Sequence, residues 1–447
     1  MIMRKGGFLL VFMLVNIALL AQNEEKTTKV YGGITTRTMG TFNRGELTDY
    51  HITVSYANVG VEQRVTPWLS FSAQVNGLLN YGLDGLLKVD PKTNSGPIYE
   101  ANLWTPVWME GSTHFELPIL SANLNFKEHQ IKVGRFLVNT PLINTEGWPF
   151  PGAASEGVYY QFKPLEKKFS LQAYALTRIA PRFSARFENI GNSIGRGGLG
   201  FEVDGDLSNY LGNVDSDFQL VLNANFEVSD HLSFELWEFY TDNVMNNFII
   251  EPTISFTSDL RLKLMYLQQH KVNNGGNDDE ELTYVVSDQS SYFGARLEKD
   301  FGVHSIQLNA SRITGQGRLQ LPRDWGVEPF YSFQRRTRME GLQDATEVMV
   351  KWQRTWANDE ASFRWYASAS RGWFPFPGDA EKNKYRTTSS AHIDNAFKFT
   401  SKRWVKGLGA ELYMAYRFLA EDINGDYRYL INRADFFHID FLVSYSF

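Results

Sequence analysis

The sequence predicts an all-β chain: a transmembrane antiparallel up-and-down β-barrel of about 18 strands, with long extracellular loops and short periplasmic turns. Three observations carry that expectation. Two-residue alternation of apolar and polar side chains recurs from end to end, and short connections alternate with long ones. Beyond the N-terminal segment no apolar run approaches the roughly 20 residues of a membrane helix. A chain that spans lipid without such helices must close its strands into a barrel, because no backbone polar group can face hydrocarbon unpaired.

Taken in chain order, Arg4 and Lys5 precede an apolar run from Gly7 to Leu20, and Ala21 is followed by Gln22-Asn23-Glu24-Glu25. This pattern reads as a secretory signal peptide, residues 1–21, leaving residues 22–447 as one barrel domain. Alternation begins clearly at Leu69, Phe71, Ala73 and Val75 against Ser70, Ser72, Gln74 and Asn76. Leu220, Leu222, Ala224 and Phe226 then oppose Gln219, Asn223, Asn225 and Glu227, and Leu260, Leu262 and Leu264 oppose Arg261 and Lys263. Ile306, Leu308 and Ala310 oppose Gln307 and Asn309, and Phe363, Trp365, Ala367 and Ala369 oppose Ser362, Arg364, Ser368 and Ser370. Leu408, Ala410, Leu412 and Met414 lie opposite Glu411 and Arg417 in parity. The final run puts Phe437, Ile439, Phe441, Val443, Tyr445 and Phe447 on one face and His438, Asp440, Ser444 and Ser446 on the other, since successive Cβ atoms point oppositely. Leu442 alone breaks it.

Links 127–129, 164–167, 229–231, 257–259 and 299–303 are short; links 81–116, 139–156, 178–216, 269–290, 314–345, 371–389 and 420–434 are long. The external link 243–247 is an exception to the long class. The Arg335-Arg336 neighbourhood leaves room for an extra strand. Both termini then fall on the periplasmic side.

Composition removes several classes of function. Without cysteine the chain is neither lipid-anchored through a modified cysteine nor stapled by disulfides nor a Cys-ligated metal protein. A net charge of −6 argues against a nucleic-acid partner. His51, His114, His129, His231, His270, His304, His392 and His438 show no metal spacing, and no segment supplies a nucleophile with its base, so no enzyme, metal or cofactor is expected. Acidic loops 273–281 and 421–426 have carboxylates suited to Ca²⁺, although such runs are ordinarily solvated surface. Richness in Phe, Tyr and Trp, which make up 15% of the chain, suits aromatic girdles at both membrane interfaces.

A barrel of this size leaves an aqueous lumen that something must narrow. If the apolar set faces lipid, Lys132, Arg261, Lys263, Arg296, Lys351, Arg364, Lys398 and Arg417 all face the lumen, together with Glu227, Glu235, Glu298, Glu347, Glu411 and Asp394. The basic set would make a track for carboxylates and the acids would hold amines opposite, unless the charges merely neutralise each other. Arg135 falls on the lipid parity, so either it snorkels at the rim or Gly134 marks a bulge. The expected constriction is the loop pair flanking 157–163. One loop carries Asn139, Thr140, Pro141, Asn144 and the Trp148-Pro149-Phe150-Pro151-Gly152 run, stiffened by proline. The other carries Arg178, Arg182 and Arg186.

The stretch Lys132-Val133-Gly134-Arg135-Phe136-Leu137-Val138-Asn139-Thr140-Pro141-Leu142-Ile143-Asn144, with Phe150-Pro151-Gly152 and Glu156-Gly157-Val158, resembles the central signature of the OprD-like substrate-specific porins of Gram-negative bacteria. Gly77-Leu78 through Leu83-Asp84-Gly85-Leu86 is similar to that family's early turn. The closing strand, with Phe441, Tyr445 and terminal Phe447, resembles the assembly signal read by the barrel assembly machinery of outer membranes. The resemblance implies an outer-membrane barrel of 18 strands, often in trimers, with inward loops and a ladder of basic residues, passing small charged solutes such as amino acids, peptides or carboxylates by passive diffusion. A non-conducting barrel acting as an adhesin or structural protein is the alternative, and a barrel hydrolase a more remote one.

Overall fold

The computed structural model describes residues 27–104, 111–145, 154–165, 168–182 and 186–447. The signal segment and the Trp148-to-Gly152 run lie outside the described residues. The strands are β1 (Thr28–Asn43), β2 (Tyr50–Thr66), β3 (Leu69–Asn80), β4 (Thr113–Phe126), β5 (His129–Leu137), β6 (Ala154–Phe162) and β7 (Phe169–Ala180). A two-residue stub, β8 (Glu188–Asn189), precedes β9 (Gln219–Ser229), β10 (Leu232–Thr241), β11 (Met245–Thr257), β12 (Leu260–Lys271) and β13 (Gln289–Phe301). The remainder are β14 (His304–Gly315), β15 (Thr346–Ala357), β16 (Ala361–Trp373), β17 (Ser390–Ser401), β18 (Leu408–Leu419) and β19 (Phe436–Ser446).

Each strand pairs antiparallel with its neighbours in sequence, β7 reaching past the stub to β9. β1 pairs with both β2 and β19, which closes the cylinder and leaves no sheet edge. With the stub set aside, the wall has the eighteen long strands the alternation predicts. Tight turns join strands at one end, helped by left-handed backbone at Lys127 (φ 48°) and Gly302 (φ 60°). The long loops all lie at the other, extracellular end.

The two faces of the wall meet different solvents. Phe441, Tyr445 and Phe447 are exposed on the outside, while His438 and Asp440, just before them on the same strand, are buried inside. Leu442, the break in alternation, takes an inward slot as the register partner of Glu411. Aromatic pairs ring the short-turn end: Trp68 on Phe126 at 5.5 Å, Phe169 on Phe226 at 5.0 Å, and Trp356 on Phe363 at 5.4 Å. A second set lies towards the loop end, including Tyr266 on Phe293 at 5.0 Å and Tyr416 on Phe418 at 4.2 Å. These are the girdles of a barrel seated in lipid, and the protein is a transmembrane barrel of the outer-membrane type.

Three local expectations need correction. The Arg335-Arg336 neighbourhood forms no strand, only an isolated bridge between Gln334 and Thr337, because its polar groups bond to the wall around it. Arg178 belongs to β7, not to the following loop, and stands opposite Glu156 across the β6–β7 ladder. The short external link shrinks to 242–244, a turn with Asn243 at φ 56°. At Gly134 (φ 113°) the ladder to both neighbours continues without a slip, and a Cβ there would lie 2.3 Å from the Leu120 carbonyl oxygen. Arg135 therefore keeps its outward parity and binds Glu156 at 2.9 Å. The bulge sits one hairpin further on, where the β6–β7 register shifts between Glu156 and Gly157.

Candidate solute path and constriction

The loop-end half of the lumen is filled by the long loops. Wall residues such as Tyr159, Tyr174, Phe239 and Tyr292 join Ile143, Ile194, Tyr210, Leu319, Trp325 and Leu342 from the loops in one apolar cluster. Its chief contributor is the loop 316–345, a segment that the sequence reading did not single out. This loop crosses the bore. At one side Gln269 of β12 donates to the Gln320 carbonyl at 2.8 Å, and the Tyr331 amide donates to the Tyr292 hydroxyl at 3.0 Å. Further round, Gln334 donates to Ser368 at 3.0 Å, Thr337 lies 2.8 Å from His392, and Arg335 pairs with Glu411 at 2.5 Å. Arg336 reaches β19, 2.7 Å from His438 and 3.3 Å from Asp440.

The anticipated loop pair braces this crossing loop. Thr140 closes a turn, its hydroxyl oxygen accepting from the Ile143 amide at 3.0 Å, and that turn presents Asn144. The Asn144 side chain donates to the carbonyls of Val327 (2.9 Å) and Pro141 (3.3 Å) and accepts from the Val327 amide at 3.1 Å. Arg182 is buried and donates to the Gly326 carbonyl at 2.8 Å. Asn139 and Arg186 are exposed, and Arg178 donates to the Phe187 carbonyl.

Charged groups inside the crossing loop are deeply buried. The Glu328 carboxylate accepts from the amides of Met339 (2.8 Å) and Glu340 (2.9 Å), and burial pushes it up to about 7 despite Arg338 beside it. Asp324 accepts from the Gly195 amide at 2.9 Å, and burial raises it to about 6. Arg323 pairs with Glu340 and stacks 3.4 Å above the Tyr385 ring. Lys384 is enclosed by the rings of Tyr210 at 4.3 Å and Tyr284 at 4.8 Å, and burial lowers it to about 7.

The eight basic wall positions divide into three groups. Arg261 is held by Glu298 (2.6 Å) and Asp300 (2.7 Å), and Lys263 by Glu251 (3.4 Å). Lys132, Arg296, Lys351, Arg364 and Lys398 make no ion pair among the described residues. Arg364 and Lys398 are register partners and both exposed. Arg296 lies over the Tyr331 ring at 4.3 Å, Lys351 over Tyr366 at 4.7 Å, and Lys132 over Tyr159 at 5.5 Å. Arg417 is buried and donates to the Ser390 hydroxyl (2.8 Å) and the Arg336 carbonyl (3.1 Å), which makes it a tether of the crossing loop. Arg335 and Arg336, absent from the sequence-derived set, extend this cation series from the loop, stacking on Tyr413 at 4.8 and 5.4 Å. Their local signal was an apolar, proline-bearing stretch, Leu319 to Tyr331, too greasy for a solvated loop.

No family model matches the chain, and no curated protein matches it. Among solved structures it is similar to Pseudomonas aeruginosa OpdK with vanillate, at 13% identity and a TM-score of 0.66, covering 94% of this chain and 98% of that one. It is likewise similar to Acinetobacter baumannii OccAB4 (12% identity, TM-score 0.66, covering 96% and 99%). Pseudomonas aeruginosa OpdO gives 12% identity and a TM-score of 0.64, covering 94% and 97%. The fold is that of the OprD-like substrate-specific porins, over almost the whole length of both chains.

Proposed function

We propose that the chain is an OprD-like outer-membrane porin that passes small charged solutes, amino acids, peptides or carboxylates, by passive diffusion. The reading rests on one observation above all: a closed barrel whose bore is crossed by the 316–345 loop, with unpaired cations of the wall and arginines of the loop laid against tyrosine rings. Lys132, Arg296 and Lys351, held on aromatic faces with no ion pair among the described residues, keep their charge available to a carboxylate while remaining fixed in position. The acids Glu411 and Asp394 of the same wall are taken up by Arg335 and by Tyr413 and His392, which leaves the cations as the charge a solute meets. OpdK, to which the fold is similar, was solved with vanillate, a carboxylate, and this supports that class of solute.

In this reading residues 1–21 direct export and are removed, the closing strand through Phe441, Tyr445 and Phe447 engages the barrel assembly machinery, and the mature barrels associate as trimers. Lys132, Arg296, Lys351, Arg364 and Lys398 serve as the solute track. Thr140, Pro141, Asn144 and Arg182 hold the constriction. No catalytic step is assigned. Planar-bilayer recordings test the proposal: the wild type gives defined conductance steps that a permeant carboxylate blocks, and Arg296→Ala with Arg364→Ala lowers anion selectivity. Unchanged reversal potentials would remove these residues from the path, and a barrel that neither conducts nor swells liposomes would point to an adhesive or structural role.

A further inference from the structure

The outer wall carries a feature that membrane seating alone does not require. Across β12, β13, β14 and β15 one outward row of register partners reads Leu264, Ala295, Ala310 and Val348. Two alanines side by side between larger residues leave a trough. The row on the loop side reads Tyr266, Phe293, Arg312 and Thr346, and the row on the turn side Leu262, Leu297, Leu308 and Val350. The trough, continued by Ile250 and Pro252 of β11, has a volume of about 560 Å³. Arg312 stands at its loop-side end, two residues along β14 from Ala310 and so about 7 Å away at about 3.4 Å per residue.

An arginine on the lipid-facing parity is costly unless a polar partner meets it. Arg312 lies level with the aromatic pair Tyr266 and Phe293, at the depth of lipid headgroups. Its guanidinium donates to the Thr346 hydroxyl at 2.9 Å and the Asp344 carbonyl at 3.1 Å, and its side chain remains 46% exposed. The Asp344 carboxylate is shared, 3.4 Å from Arg312 and 3.9 Å from Lys382, so the group of three carries a net positive charge.

We propose that this trough binds one anionic phospholipid, an acyl chain lying over Ala295 and Ala310 and the phosphate on Arg312. The two parts of the site match the two parts of such a lipid. Apolar walls take the chain, and the guanidinium fork takes phosphate oxygens in a paired geometry.

Native mass spectrometry of the full barrel released from detergent tests this, using phosphatidylglycerol and phosphatidylcholine of identical acyl chains in equal amounts. The wild type retains phosphatidylglycerol preferentially. Arg312→Ala, or the milder Arg312→Gln if the first folds poorly, reduces that preference about five-fold. Ala310→Phe fills the trough and lowers retention of both lipids, with the unit conductance unchanged. Equal retention of the two lipids by the wild type, or a preference untouched by Arg312→Gln, overturns the proposal. So does a multimer that Ala310→Phe dissociates, since a second copy of the barrel would then occupy the trough.

Discussion

Removing the Asn144 side chain should free the crossing loop while leaving the barrel intact. Asn144→Ala deletes three hydrogen bonds, two of which serve the amide and carbonyl of Val327, a residue only 8% exposed. Each buried backbone group left without a partner costs about 1–3 kcal/mol, so the docked position of the loop should lose about 4 kcal/mol. That is close to a thousand-fold in the ratio of docked to undocked loop. Arg182 still holds the Gly326 carbonyl, and the backbone amides of Asn144 and Arg182 still donate to the carbonyls of Trp325 and Asp324, so the loop keeps neighbouring anchors. Single-channel recordings should show steps that are larger and noisier than those of the wild type, while heat-modifiable gel migration stays the same. Identical step amplitude and open-channel noise would refute the reasoning, because Asn144 would then not be what positions the loop.

Arg37→Met leaves Asp440 buried across the β1–β19 seam with Arg336, at 3.3 Å, as its remaining cation among the described residues, and should destabilise the barrel by about 3 kcal/mol, read as a lower unfolding temperature. Glu328 is held near 7 against an ordinary value of 4.5, so the docked loop binds its proton more tightly than the undocked one. Its contribution is complete below about pH 4.5 and is lost as the pH rises through 7, on the order of 3 kcal/mol in all. Protease sensitivity of the 316–345 loop should rise over that window, and Glu328→Gln should confine the rise to the range ending near pH 6, where Asp324 titrates. Deleting Phe447 removes two backbone bonds to Gly32, at 3.0 and 3.2 Å, and the ring laid over it, and should lower the yield of folded barrel in membranes; an undiminished yield would count against a role for the last residue in closure.

The strands were legible because each wall residue answers chiefly to the solvent on its own side. His438 and Phe441 differ in character for that reason alone, and parity placed Arg364 and Lys398 on the same face before any contact was known. What parity omits is the partner. Arg261 is spent on Glu298 and Asp300 while Arg364 is not, and that depends on which acid lies within about 3 Å on the next strand. The crossing loop was harder still, since its contacts are remote in sequence: Trp325 donates to the Ser193 hydroxyl at 2.8 Å, and Arg182 meets Gly326. No repeat of two or of 3.6 residues encodes such meetings. The concentration of Leu319, Leu321, Trp325, Phe330 and Tyr331 between two strands is the one local feature able to mark the segment as seeking cover, and alternation takes no account of it.

The attachment points of that loop set an order of events during biogenesis. Gln269 lies on β12 and Asp440 on the closing strand β19, so the loop gains its last attachment only when that strand is in place. Docking must therefore follow closure. A sealed barrel whose loop has not yet docked has a wider bore than the mature one, and seating the loop narrows it.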